Sequence, residues 1–117
     1  MIRMDKTTMN AELVIGDTGS FSIIPKINGE AYLSDGDEVV LTVKRIRDGQ
    51  VVLEKKYTKF INHKAEIVIE HEDTLNLEKG NYIYDLKVIR KDGTVDTIIP
   101  NNPSANLTLK EGVKSWI

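Results

Sequence analysis

From Ala11 to Lys110 apolar and polar side chains alternate with a period of two, and a single stretch departs from it. Val39, Leu41 and Val43 alternate with Val40, Thr42 and Lys44, and Ile67 and Ile69 with Glu66, Val68 and Glu70. Tyr82, Tyr84, Leu86 and Val88 alternate with Ile83, Asp85, Lys87 and Ile89, and Leu107 and Leu109 with Asn106, Thr108 and Lys110. The pattern predicts strands over 11–15, 20–27, 38–46, 51–60, 65–70, 81–90, 94–99 and 104–110. An antiparallel sheet covered on one side requires one apolar and one mostly polar face. "RDGQ" (47–50) and "KDGT" (91–94) carry Asp-Gly between alternating runs and predict two hairpins. "IGDTGS" (15–20) and "LSDGDE" (33–38) also read as turns, and Pro25 makes its strand an edge or a bulged one. Short strands at regular spacing without a helical period define the expected fold class: all-β, an immunoglobulin-like antiparallel β-sandwich of about seven to eight strands.

The departure is "HEDTLNLEKG" (71–80), which predicts one short helical turn near 73–79. Asp73 or Thr74 is its expected cap, and Gly80 closes it in a left-handed conformation. Tyr82, two residues on, is then placed to hydrogen-bond back to the turn as a tyrosine corner, so Gly80 and Tyr82 form a structural corner. Residues 1–10 carry no pattern and are expected to be a flexible N-terminal arm; 11–110 form the β-sandwich domain, and 111–117 a C-terminal tail.

A chain of 117 residues is one domain, and 40% hydrophobic content is enough for a core without staples. Sixteen basic against eighteen acidic residues, interleaved along the chain, lack the basic surplus of a nucleic-acid binder. No apolar run approaches the ~20 residues that span a bilayer. The N-terminal "MIRMDKTTMNAE" has no apolar core of a secretory signal, which implies synthesis in a cytoplasm. With no cysteine, disulfides and thiolate chemistry are excluded.

Candidate chemistry is sparse. Nucleophilic catalysis needs a base within reach of the nucleophile, but His63 and His71 flank one strand at its opposite ends among polar neighbours. Asp35, Asp37 and Glu38 offer hard oxygen ligands, yet the distant bidentate carboxylate that closes a calcium loop is missing, and an acidic turn accounts for them. Glu72 and Asp73 suit a helix N-terminus. Asn106-Leu-Thr108 matches a glycosylation sequon and also reads as outward positions of the last strand. No catalytic, cofactor or metal site is therefore assigned. A glycan-binding face wants a row of aromatics, and Tyr57 and Phe60 have opposite strand parity while Tyr82 and Tyr84 belong to the core or corner. Trp116 and Ile117 either meet a partner surface or fold back onto their own domain.

The order of these elements carries a resemblance. "ELVIGDTGSFSI" places Gly16, Asp17 and Thr18 after the first strand, and "DTLNLEKGNY" places Asp73, Thr74, Leu75, Leu77, Gly80 and Tyr82 before a strand and the Asp92-Gly93 hairpin. This resembles the N-terminal β-sandwich of phage baseplate upper proteins and the related small immunoglobulin-like proteins of tail modules in Firmicutes phages and prophages. The resemblance covers residues 11–110 and does not extend to the helical and receptor-proximal regions of the larger proteins. It implies a structural, assembling, non-enzymatic role in a virion, with other tail or baseplate proteins as partners and homo-oligomer formation compatible. It carries over no catalytic residues and implies neither nucleic-acid nor membrane binding. The alternative is a small ligand- or glycan-binding adhesion module of the same fold.

Overall fold

A computed structural model describes residues 2–99 and 105–112. Eleven strands and one helical turn occur among them: β1 (Ile2–Met4), β2 (Ala11–Val14), β3 (Gly19–Ile23), β4 (Lys26–Ile27), β5 (Glu30–Ala31), β6 (Glu38–Arg45), β7 (Val51–Tyr57), β8 (Ala65–Ile69), α1 (His71–Thr74), β9 (Gly80–Ile89), β10 (Val95–Ile99) and β11 (Ala105–Lys110). Seven strands build the large sheet in the order β1-β2-β11-β9-β6-β7, with β10 also paired to β9. β3 and β8 form a second, two-stranded antiparallel sheet, and β4 and β5 a small hairpin. The protein is all-β with minimal helix.

The sheet is mixed and not purely antiparallel: β2 runs parallel to β11, with Ala11 opposite Leu107 and Leu13 opposite Leu109. A hairpin forces its two strands to be antiparallel, but β2 and β11 are joined by most of the chain, and a long connection leaves direction free. β10 and β11 both pair with β9 along one edge, β10 with its second half and β11 with its first.

The alternation seen in the sequence is the inside–outside pattern of the sheets. Val39, Leu41 and Val43 of β6, Tyr82, Tyr84, Leu86 and Val88 of β9, and Leu107 and Leu109 of β11 all point inward. They share one buried cluster with Ala65, Ile67 and Ile69 of β8, so both sheets contribute to a single core. Both Asp-Gly turns join antiparallel neighbours, β6 to β7 and β9 to β10. In each the glycine alone takes positive φ, +68° at Gly49 and +92° at Gly93, the geometry of a type I turn followed by a left-handed residue.

Three regions differ from the reading of the sequence. The strand expected over 20–27 is broken at Ile24-Pro25, where proline has no N–H to give a ladder. Its remainder turns through Asn28 and Gly29, both at positive φ, to make the β4–β5 hairpin. The helical turn lies earlier than 73–79, at 71–74. Its N-cap is Glu70, and Asp73 sits at the third helical position, where its carboxylate accepts the Glu70 N–H at 2.7 Å. Gly80 opens β9 at φ +140° and does not end the helix.

Residues 2–10, expected as an arm, form a hairpin with β2: Ile2 pairs with Leu13 and Met4 with Ala11. Asp5 holds the turn by accepting the Thr7 N–H at 2.8 Å, and the Tyr84 hydroxyl donates to the Met9 carbonyl. That anchor comes from the far side of the sequence, which is why local pattern could not show it.

Candidate functional site

The end of the molecule where β2 stops and β9 starts brings together both motif elements singled out in the sequence. β2 leads into the turn at 15–18, and β8 leads into α1 beside it. Thr74, with 0% of its surface exposed, accepts the Gly16 N–H on Oγ1 at 2.8 Å. The His71 ring donates from Nδ1 to the Gly16 carbonyl, so both polar groups of that one peptide residue are taken by α1. Asp17 N–H donates to Val14 O at 2.9 Å and closes the turn.

Two further contacts fix α1 against the sheets. Lys55, on the inward face of β7, reaches Asp73 at 2.6 Å with both side chains largely buried. The Tyr82 hydroxyl donates to the Glu78 carbonyl at 2.7 Å, tying the first inward residue of β9 to the segment before it. That segment, 75–79, is thereby held out as a wall.

Between this wall and the 14–17 turn lies a groove of about 950 Å³. Its lining is mostly apolar: Val14, Ile15, Leu75 and Leu77, with Gly112 at one margin. Leu75 keeps 49% of its surface exposed. Asp17, Glu78 and Glu111 stand at the rim with Lys79, which pairs with Glu111 at 3.3 Å. The groove can bury an apolar side chain.

The other residues considered in the sequence lie elsewhere. His63 donates from Nδ1 to Leu33 O at 2.7 Å, at the opposite end of β8 from His71. Each histidine is used in joining loops. Asp37 is turned inward and accepts the backbone N–H of Ser34 at 3.0 Å and of Lys91 at 2.9 Å, clasping the 33–38 loop to the β9–β10 turn. Among the described residues no three His, Asp or Glu side chains come together as a metal site. Asn106 is bound through its backbone N–H to Asn10 Oδ1, and the Thr108 hydroxyl donates to Asn81 Oδ1 at 2.8 Å.

The large side chains left exposed among the described residues are aliphatic, with no aromatic row. Tyr57 donates to Val68 O at 2.6 Å, and Phe60 packs on the core. Burial raises the Tyr57 hydroxyl well above its ordinary pKa, reinforced by the Asp73 carboxylate, and burial pushes Tyr84 up to about 12. Trp116 and Ile117 lie outside the described residues. No helix among the described residues is long and apolar enough to cross a membrane.

Sequence reasoning named Gly16, Thr74 and Leu75 as members of two separate motifs and missed that they form one site. Spacing alone cannot show the meeting, because the residues that touch are 58 positions apart. No protein family and no curated protein matches this chain.

Proposed function

We propose that this chain is a non-enzymatic structural protein, an immunoglobulin-like β-sandwich module that assembles with other proteins in a phage or prophage tail or baseplate. The observation that carries the reading is the apolar groove walled by the two motif elements of the resemblance, with Leu75 exposed beside a rigid clamp. An exposed apolar hollow with a charged rim is characteristic of a surface that a partner covers.

The immunoglobulin-like assignment is supported by strand order. β11, β9, β6 and β7 follow one another as strands G, F, C and C′ of such a sandwich, while β3 and β8 take the places of B and E. The Tyr82–Glu78 bond has the form of a tyrosine corner at the start of strand F. The non-enzymatic assignment rests on the resemblance, which carries over no catalytic residues.

The test is whether the protein travels with particles. Phage particles induced from the encoding cell would be purified, probed by mass spectrometry, and labelled with an antibody to this chain. The reading expects the chain in tails or baseplates, and expects Leu75→Asp to deplete it there while leaving its fold intact by circular dichroism. Absence of the chain from the particles overturns the assignment.

A further inference from the structure

β11 delivers the chain to the groove. The strand ends at Lys110, whose carbonyl accepts the Ile15 N–H at 2.8 Å, so it is still tied to the end of β2 where the groove begins. The next two residues touch both walls. Glu111 pairs with Lys79 of the 75–79 wall at 3.3 Å. Gly112 lies against the other wall: a Cβ there would stand 3.1 Å from Val14 Cγ1, closer than side chains normally pack. Glycine at 112 therefore lets the backbone follow the margin of the groove.

Val113, Lys114, Ser115, Trp116 and Ile117 come next and lie outside the described residues. Three of these five side chains are apolar, and burying an indole takes about 150–250 Å² out of water. Trp116 is four residues past Gly112, and a fully extended chain of that length reaches about 14 Å. The tether thus keeps the indole beside a hollow of about 950 Å³ lined by Val14, Ile15, Leu75 and Leu77.

We propose that residues 113–117 fold back into the groove of their own chain, with the Trp116 indole against Leu75. A short tether holds a group at an effective concentration of about 1 mM, so a second copy does not compete for the groove in dilute solution. The inference goes beyond the assembly reading and does not rest on it. A partner that needs the groove takes it by displacing the tail, which makes the segment a built-in competitor for that surface.

Trp116 is the only tryptophan, so its fluorescence reports on the tail alone. The full chain would be measured at about 1 μM, roughly a thousandfold below the effective concentration of the tether. Its emission is expected to lie to the blue of the urea-unfolded chain, with acrylamide quenching several-fold weaker. Leu75→Asp, with its fold checked by circular dichroism, is expected to return both to the unfolded values. A second arm leaves the groove untouched. Methyl NMR of the wild type and of Trp116→Ala is expected to show ring-current shifts at Leu75 and Leu77 that vanish in the variant, whose change lies outside the sheets.

Wild-type emission and quenching equal to those of the unfolded chain overturn the inference. So do Leu75 and Leu77 methyls that ignore Trp116→Ala, since the indole then lies elsewhere. Shielding that appears only as concentration and sedimenting mass rise together also overturns it, because the groove then belongs to a second copy. The particle experiment reads the assembly assignment separately, since a chain whose tail stays out of the groove can still be found in a particle.

Discussion

Thr74→Val isolates the clamp that shapes the groove. Valine keeps the volume and branching of threonine, so no cavity opens, but it cannot accept the Gly16 N–H. A buried Thr→Val change is not conservative because the hydroxyl carries the bond. Thr74 has no exposed surface, so water cannot replace the lost acceptor without disturbing the packing. Leaving a buried donor unsatisfied costs about 1–3 kcal/mol. For 117 residues, an unfolding entropy of about 2.1 cal/mol/K per residue makes each kcal/mol worth about 4 °C, so Tm should fall by about 4–12 °C.

Thr74→Ser is the control. It keeps the acceptor and loses one buried methyl, a cost of about 1 kcal/mol. Thermal unfolding by circular dichroism gives the two losses, and amide hydrogen exchange at Gly16 separates their causes. Exchange should quicken markedly in the valine variant and stay near wild type in the serine variant. A valine variant within about 0.5 kcal/mol of wild type, with Gly16 still protected, would refute the argument that this hydrogen bond holds the 15–18 turn.

The remaining expectations concern the corner and the titrating groups. Tyr82→Phe removes the hydroxyl bonded to Glu78 O and should destabilise by about 1 kcal/mol in urea unfolding, with the slope unchanged because the strands remain. Asp48 is held near a pKa of about 2, first by its hydrogen bonds from Arg45 and then by the Gln50 N–H. Because its folded value is depressed, the contribution is present above about pH 4 and is lost as pH falls toward 2. NMR titration of the Asp48 carboxyl should show that midpoint, and Arg45→Gln should move it back toward 3.8. Tyr84, raised to about 12, works in the other direction: its stabilisation is complete below pH 10 and disappears as pH rises to about 12. Absorbance at 295 nm should show Tyr84 ionising late, together with loss of the folded signal, and an early reversible ionisation would contradict its burial.

How far the molecule was legible from its residues depends on the range of the forces involved. Period-two alternation is a local consequence of burying one face of a strand, so Val39 to Val43 and Tyr82 to Val88 could be read directly as core. The Asp-Gly turns were likewise legible, since a glycine that accepts positive φ marks its own position. Asn28-Gly29 carries the same signal, but Pro25 three residues before it accounts equally well for an irregularity in that segment, so the turn does not stand out locally. The helix boundary moved because the Asp73 carboxylate reaches back three residues to accept the Glu70 N–H, which makes Glu70 the N-cap, a choice between nearby acids that residue type alone does not resolve.

Local residue pattern was enough for the all-β class, the inward-facing alternation and the two Asp-Gly hairpins, because each follows from steric and hydrophobic rules acting within a few residues. Only the tertiary structure decided that β2 lies parallel to β11, that the first residues are pinned by Tyr84, and that Gly16 meets Thr74 to wall an apolar groove. Those pairings depend on which distant segments the closed core brings together. A hydrogen bond between residues 58 positions apart leaves no mark in the spacing of either.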